Sequence, residues 1–529
     1  MDELKYLSRK VATGALNRRD FMGRASALGL TAAAASTLLA GAAKAAGPNR
    51  GGILRAGIQG GESTNSMDPA TYASSVPAMF GASWGDTLVE NGQDGNIVNR
   101  LAESIEASDD AKTWRFKIRQ GVEFHNGKTL TAEDALKTMQ RHSGEETKSG
   151  ALGIMRGIES MSTDGDTLVL NLAQPNADLP YLMGDYHLII QPDGGMDNPA
   201  AGIGTGPYKV EVDEPGIRHG GIRNENDWDE NRGYADQVEI LVINDATART
   251  AALQGGQVDM INRVEPKVVD LVKRVPGVTI QNIAGRGHYV MIMHADTAPF
   301  DNNDLRLALK YAVDRQDMVD KILRGYGSIG NDLPVNAAYP LFDADIPQRA
   351  YDPDKAAFHY KKSGHDGSPI VLRTADAAFP GAVDASALLQ QTATKAGIPL
   401  EVKREPNDGY WSEVWNKQPF CCSYWAGRPT QDQMYSTAYL SSADWNDTRF
   451  KNPAFDSILV AARGELDLDK RKQMYSEMAY MLRDEGGLIC PMFNDFIDAT
   501  GPRVGGFVKS PNGEMMGGGG FALSRCWVA

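Results

Sequence analysis

Two hydrophobic periods interleave along almost the whole chain, and this alternation constrains the fold more than any other feature of the sequence. A period of two marks half-buried strands. Residues 113–119 set Trp114, Phe116 and Ile118 against Arg115, Lys117 and Arg119; Leu168, Leu170 and Leu172 repeat the pattern, as do Val238, Ile240 and Val242, and a short run through Ile53, Leu54, Ala56 and Ile58 is strand-like. Helical spacing separates these runs. Thr131 with Asp134 is an N-cap signal for a helix to about His142, and residues 247–253 read as a helix ended by Gly255-Gly256. Leu305, Ala308, Leu309 and Ala312 form one helical face, continued after a slight phase slip by Met318, Val319, Ile322 and Leu323 up to Gly325. Met474, Met478, Met481 and Leu482 form another face, stopped by Gly486-Gly487, and a Met stripe at this spacing reads as core. Strands and helices in alternation predict the α/β class.

The first 45 residues stand apart from this pattern. Arg18-Arg19-Asp20-Phe21-Met22 is a twin-arginine pattern, followed by an Ala-rich apolar run and Ala43-Lys44-Ala45, so residues 1–45 are expected to be an export signal. The run is only mildly hydrophobic and no stop-transfer cluster follows, which argues against an anchor. Ala42 stands where a lipoprotein would carry its acylated Cys. The expected destination is the periplasm of a Gram-negative bacterium.

About 484 residues remain, too many for one core and suited to two or three domains. The signal takes seven of the 54 basic and three of the 68 acidic residues, leaving 47 against 65 and a formal charge of −18. That balance argues against nucleic acid or anionic membrane as the main partner and fits a soluble, freely diffusing protein, expected to be a monomer. Four Cys remain, and an oxidising compartment permits disulfides. Joining adjacent Cys421 and Cys422 would be strained, so the open readings are a bridge from one of them to Cys490 or Cys526, or four reduced, buried thiols.

Residues 420–435 concentrate binding chemistry. An apolar run ends in Tyr424 and Trp425, Gly427 and Pro429 break the backbone around Arg428, and Asp432 follows, so one loop carries both charge signs beside aromatic faces. A second candidate is the polar turn containing Ser63, Asn65 and Ser66 after the strand-like run at 53–58, since α/β folds place ligand contacts beyond strand ends.

Several blocks then occur in an order that resembles the extracytoplasmic solute-binding protein family 5, the dipeptide, oligopeptide and nickel-binding subunits of ABC importers. Thr113-Trp114-Arg115-Phe116-Lys117-Ile118-Arg119-Gln120-Gly121-Val122-Glu123-Phe124-His125-Asn126-Gly127 leads into Leu130-Thr131-Ala132-Glu133-Asp134-Ala135. Gly204-Thr205-Gly206-Pro207-Tyr208, Ala252-Leu253-Gln254-Gly255-Gly256-Gln257-Val258-Asp259, Asp304-Leu305-Arg306-Leu307-Ala308-Leu309-Lys310-Tyr311-Ala312-Val313-Asp314-Arg315, Tyr351-Asp352-Pro353-Asp354-Lys355-Ala356 and Asn452-Pro453-Ala454-Phe455-Asp456 follow. The resemblance implies a two-lobed periplasmic-binding-protein fold: lobe I from 48–284 plus 493–529, with an extra subdomain at 76–205, and lobe II from 285–492. Two chain crossings near 285 and 492 would form a hinge, and a ligand touching both lobes would stabilise the closed form.

In this family a Trp-x-Gly-x-x-x-Asp-Pro loop supplies an aspartate for a peptide's α-ammonium. Trp425 and Gly427 fit that pattern, Gln431 stands at the acidic position with Asp432 beside it, and Arg428 is an addition. The expected ligand is a zwitterion such as a short peptide, its ammonium on Asp432, its carboxylate on Arg428, and Tyr424 and Trp425 as apolar walls. Arg286, His288 and Tyr289 near the first crossing complete the candidate set. Tyr410, Trp411 and Trp415 read as core. The expected partners are this solute and the membrane permease subunits, with no cofactor and no catalysis. The alternatives are the same fold with a glycoside, opine or nickel chelate, or a secreted hydrolase.

Enzyme motifs are weak. Gly81-Ala82-Ser83-Trp84-Gly85 matches a nucleophile elbow, but no clear buried strand precedes Ser83. Residues 121–129 end like a phosphate-binding loop with five residues rather than four between the glycines, and Pro207 replaces the third glycine of a dinucleotide fingerprint at 202–207. The His residues are scattered and no pair combines with Cys or carboxylate at metal-ligand spacing, although folding could bring His288 and His294 to one site.

Overall fold

A computed structural model describes residues 7, 18–28 and 47–529, except 73, 145, 407–409, 444 and 512–514. Most of the N-terminal apolar run therefore lies outside the described residues. The arginine pair begins a helix, Arg18–Ala27, in which Phe21 and Ala25 are fully buried. Among the described residues no helix is long and apolar enough to cross a membrane.

Eleven strands form one mixed sheet, organised by two long antiparallel strands, Thr279–Met293 and Leu488–Thr500. Residues 279–284 pair with 495–500, and 288–292 with 488–493; the register breaks between Ala284 and His288. Gly285 and Gly287 sit in that break. A Cβ on Gly285 would lie 2.4 Å from the Phe496 ring, and one on Gly287 would lie 2.8 Å from the Asn494 amide, so the chain passes here only without side chains.

On one side of the break the sheet continues through Phe420–Trp425, Ile370–Thr374 and Leu400–Arg404. On the other it continues through Met260–Ile261, Ile53–Ile58, Gln237–Val242, Arg218–Arg223 and Tyr208–Glu214. Each half has its own apolar core: Met291, Leu309, Leu372, Leu389 and Phe420 in the first, Leu54, Ile58, Phe80, Trp84 and Ile240 in the second. Two such cores, linked by paired strands, make the molecule two-lobed.

The alternating runs at 113–119 and 168–172 become Thr113–Ile118 and Thr167–Leu172, neighbours in a separate four-stranded antiparallel sheet with Ala102–Ala107 and Ile158–Asp164. Its helix, Ala132–Ser143, starts with the capping box that Thr131 and Asp134 announce. The helical face expected to continue from Leu305 to Leu323 is instead two helices, Asn303–Tyr311 and Arg315–Lys321. The phase slip is a true break, because the Asp314 carboxylate accepts from the Asp317 N–H and starts a new N-terminus.

All four Cys are buried and none is in a disulfide, so no bridge joins Cys421 or Cys422 to Cys490 or Cys526. Cys421 and Cys422 lie inside the strand Phe420–Trp425, with Cys422 Sγ 3.3 Å from the Ser386 hydroxyl. Ser83 is fully buried in the helix Ser75–Trp84 and donates to the Phe80 carbonyl at 2.6 Å, where an elbow would present it at a strand end. Residues 121–129 form a turn closed by a bridge between Glu123 and Thr129.

Candidate functional site

The strand Phe420–Trp425 lies beside Thr279–Met293 with Trp425 opposite His288, and its β-branched-free but aromatic sequence ends abruptly at Gly427. Gly427 has φ +86° and approaches Arg286 so closely that a Cβ would lie 2.6 Å from the Arg286 Cβ. Arg286 in turn props the loop: its guanidinium donates to the carbonyls of Pro429 (2.7 Å) and Ala338 (2.8 Å) and lies over the Tyr339 ring. The Tyr339 hydroxyl accepts the Arg428 N–H at 3.1 Å. Thr430 then caps the helix Gln431–Ala438. Five residues, 426–430, are thus held as a rigid rim.

This rim forms one wall of a cavity of about 790 Å³, together with Arg286, Gln433 and Trp445. The facing wall comes from the helix Ser75–Trp84 (Ala78, Ala82), from Asp86, Glu90 and Asn91, from Tyr181 to Ile189, and from Met515, Gly518, Gly519 and Phe521 near the C-terminus. The volume falls within the range of about 300–1,000 Å³ usual for small-molecule sites.

Of the twelve residues singled out from sequence, Arg286, Gly427 and Arg428 line the cavity. Trp425 is buried one layer back, its ring 6.0 Å from that of Trp445, with the Arg428 guanidinium 5.4 Å from its centroid. Tyr424 points away from the core and is 47% exposed, and Tyr289 stacks on Phe379 at 4.3 Å. His288 is fully buried with Nδ1 on the Arg286 carbonyl; burial pulls its pKa down to about 4, so it is neutral at physiological pH. Asn65 reaches the cavity wall only through Ser74, which it meets at 3.3 Å, while Ser66 accepts from the Asp68 N–H and Ser63 is exposed.

Gln431 and Asp432 are both buried and absent from the cavity wall. The Asp432 carboxylate accepts from Arg463 Nε at 3.1 Å. Burial pushes its pKa up to about 6, Arg463 opposes the shift, and Asp178 adds to it. Asp178 belongs to the facing wall's segment and pairs with Arg471 at 2.6 Å, both groups being at most 4% exposed. The Ala177 N–H donates to the Arg463 carbonyl at 2.7 Å. The charge expected for a ligand ammonium is therefore spent on Arg463, within its own half of the molecule.

Sequence reading missed Trp445 and Asp447. The Asp447 carboxylate accepts from the Trp415 indole (3.0 Å) and the Trp425 indole (3.3 Å), tying both rings behind the rim. The signal available was two aromatics and an acid in a polar loop, which carries no period. Burial pushes the Asp447 carboxyl up to about 7 against the pull of the two indoles. A folded-state pKa above the unfolded value of about 4 means that the folded state binds the extra proton between pH 4 and 7. Stability from this group is full below that window and is lost by about 1.4 kcal/mol per unit as pH rises through it. Asp447→Asn is expected to flatten that slope in denaturant melts at pH 5, 6 and 7; an unchanged slope would refute the assignment.

Among the described residues no group of three or more His, Cys, Asp or Glu is set to hold a metal ion.

Two sheet halves joined through paired strands, with a ligand-sized cavity between facing loops, define a two-lobed solute-binding protein. Residues 96–447 match the family described as bacterial extracellular solute-binding proteins, family 5 middle, which is well over half of the chain, and the protein belongs to that family. It is 26% identical to heme-binding protein A of Haemophilus influenzae over 79% of this chain and 83% of that protein. Di/tripeptide-binding protein 1 of Pseudomonas aeruginosa is 24% identical over 74% of this chain and 79% of its own length. Among solved structures, HbpA2 from Haemophilus parasuis superposes with a TM-score of 0.80 at 18% identity, covering 90% of this chain and all of that one. The periplasmic binding protein DppA from Helicobacter pylori, solved with the peptide STSA, superposes at 0.72 and 20% identity, covering 91% and 98%.

Proposed function

We propose that this protein is the periplasmic binding subunit of an ABC importer, that it delivers a peptide or peptide-like solute to the membrane permease, and that it performs no catalysis. The observation carrying the reading is Arg428, a cation on the rim of a ligand-sized cavity with no carboxylate in ion-pair distance among the described residues. Relatives named for di- and tripeptide binding support the ligand class. The lobes are residues 48–284 with 493–529, carrying the subdomain 76–205, and residues 285–492. The register break at Gly285 and Gly287 is the hinge, since glycines there let two paired strands flex without moving side chains. The twin-arginine pattern at Arg18-Arg19 directs export, and the mature protein acts as a monomer.

A thermal-shift screen of the mature protein tests the reading. Short peptides are expected to raise the melting temperature by several degrees at 100-fold excess over Kd, where binding adds about 2.7 kcal/mol. Stabilisation by sugars or nickel chelates and by no peptide would refute it.

A further inference from the structure

Three tryptophans cluster at the rim, and they differ in what they face. Trp425 is 5% exposed, Trp415 is half-buried, and Trp445, which lines the cavity, is 51% exposed. A single exposed apolar side chain on a protein surface is ordinary. Trp445 is set apart by its place in the cavity wall and by how firmly it is held.

Its ring meets that of Trp425 at 6.0 Å and 55°, and that of Trp415 edge-on at 6.1 Å and 81°. Both partners donate their indole N–H to the same oxygen of buried Asp447, so neither ring turns away without leaving that carboxylate short of a donor. The backbone is fixed as well. The Asp447 N–H donates to the Trp445 carbonyl at 2.8 Å. Between them the buried Asn446 amide donates to the Phe450 carbonyl at 2.7 Å and accepts from the Phe450 N–H at 3.2 Å and the Thr448 hydroxyl at 3.1 Å. An indole packed from two sides, with half its surface open to the cleft, is a preorganised platform: a flat group settles on it without first ordering the protein.

Electrostatics narrows the kind of group. An indole face accepts either a cation or another ring. Here the Arg428 guanidinium already lies 5.4 Å from the centroid of the neighbouring Trp425 ring. A cation on Trp445 would stand close to that charge in a cleft that screens it less than bulk water does, whereas a neutral ring carries no such cost. Trp425 lies beside both Arg428 and Trp445, so a carboxylate at the first and a side chain on the second are within reach of two or three residues at about 3.3–3.6 Å each.

We infer that Trp445 is a specificity-determining residue, a stacking surface that selects peptide-like solutes carrying an aromatic side chain over those with aliphatic or cationic ones. The inference rests on the peptide-binding reading and narrows it.

The test uses the mature protein and alanine tripeptides in which each position in turn carries Tyr, Leu or Lys, with affinities measured by calorimetry. At one position Tyr is expected to bind at least tenfold more tightly than Leu, and Lys more weakly than either. Trp445→Ala should erase the Tyr advantage while changing the affinity for trialanine less than threefold. Trp445→Phe should retain most of the advantage, because a flat face remains. Equal affinity for Tyr and Leu at every position of the wild-type set, a preference for Lys, or equal losses for all peptides in Trp445→Ala overturns the inference and leaves peptide binding intact. Binding of no peptide in the set overturns the peptide reading itself.

Discussion

Asp178→Asn is expected to weaken solute binding by about two orders of magnitude while leaving the unfolding transition of the ligand-free protein within a few degrees of wild type. Asp178 and Arg471 meet at 2.6 Å across one edge of the cleft, and both are almost fully buried. Removing one member of a buried pair leaves the other charge without solvent or partner, at a cost of about 3–5 kcal/mol. In a two-lobed protein that cost has an escape. Opening the cleft returns Arg471 to water, so the penalty falls on the closed form and lowers the binding-competent fraction. About 2.8 kcal/mol of lost closure is a hundredfold in apparent Kd. Arg471 also donates to the Ala462 carbonyl at 3.0 Å within its own lobe, which makes Arg471→Met the less selective change. The double variant should weaken binding by far less than the product of the single effects. Small-angle scattering should show a larger radius of gyration for Asp178→Asn without ligand. Unaltered affinity with a depressed melting temperature would assign the pair to fold stability alone.

Gly427→Ala should cost binding on a similar scale through a different route. The residue has φ +86°, where an L side chain costs about 1–2 kcal/mol. Its new Cβ would stand 2.6 Å from the Arg286 Cβ and 3.0 Å from the Arg286 carbonyl. Arg286 cannot retreat cheaply, because its guanidinium is fixed on Ala338 and Pro429 and its backbone lies in the register break between the long strands. The rim must move instead, taking Arg428 with it. Displacing a cation by 1 Å from a carboxylate forfeits the forked geometry that distinguishes arginine as an anion receptor. Affinity is expected to fall at least 30-fold, with carboxylate ligands losing more than their amides. Equal affinity for wild type and variant by calorimetry would show that the rim does not hold the solute.

Local signals were legible where the physics is local. Thr131 and Asp134 announce a capping box because both partners lie within one helical turn, and the structure contains it. Trp114, Phe116 and Ile118 alternate because a strand with one buried face must, and all three are buried. The break at Ala312–Asp314 was visible only as a phase slip, since an interrupted helix keeps nearly the same apolar spacing as a continuous one. At the site, Gly427 and Arg428 were legible because a loop between an aromatic strand and a capped helix has few other uses. Asp432 looked equally available until Arg463, 31 residues further on, was found to neutralise it. Asp86, Glu90 and Asp185 gave no signal, their partners lying up to 435 residues away along the chain.

Periodicity, capping and turn chemistry act over a few residues, so the α/β class, the ordered blocks of the family and the loop that places Arg428 on the cavity rim were readable without the fold. Tertiary structure alone decided the charge of the cavity. Whether a carboxylate can hold a ligand depends on which cation folding has already placed beside it, and those cations arrive from distant segments: Arg232 for Asp86, Arg525 for Glu90, Arg463 for Asp432. Among the described residues Arg428 meets no such carboxylate; its guanidinium lies over the Trp425 ring and donates to the Gly427 carbonyl beside the cavity.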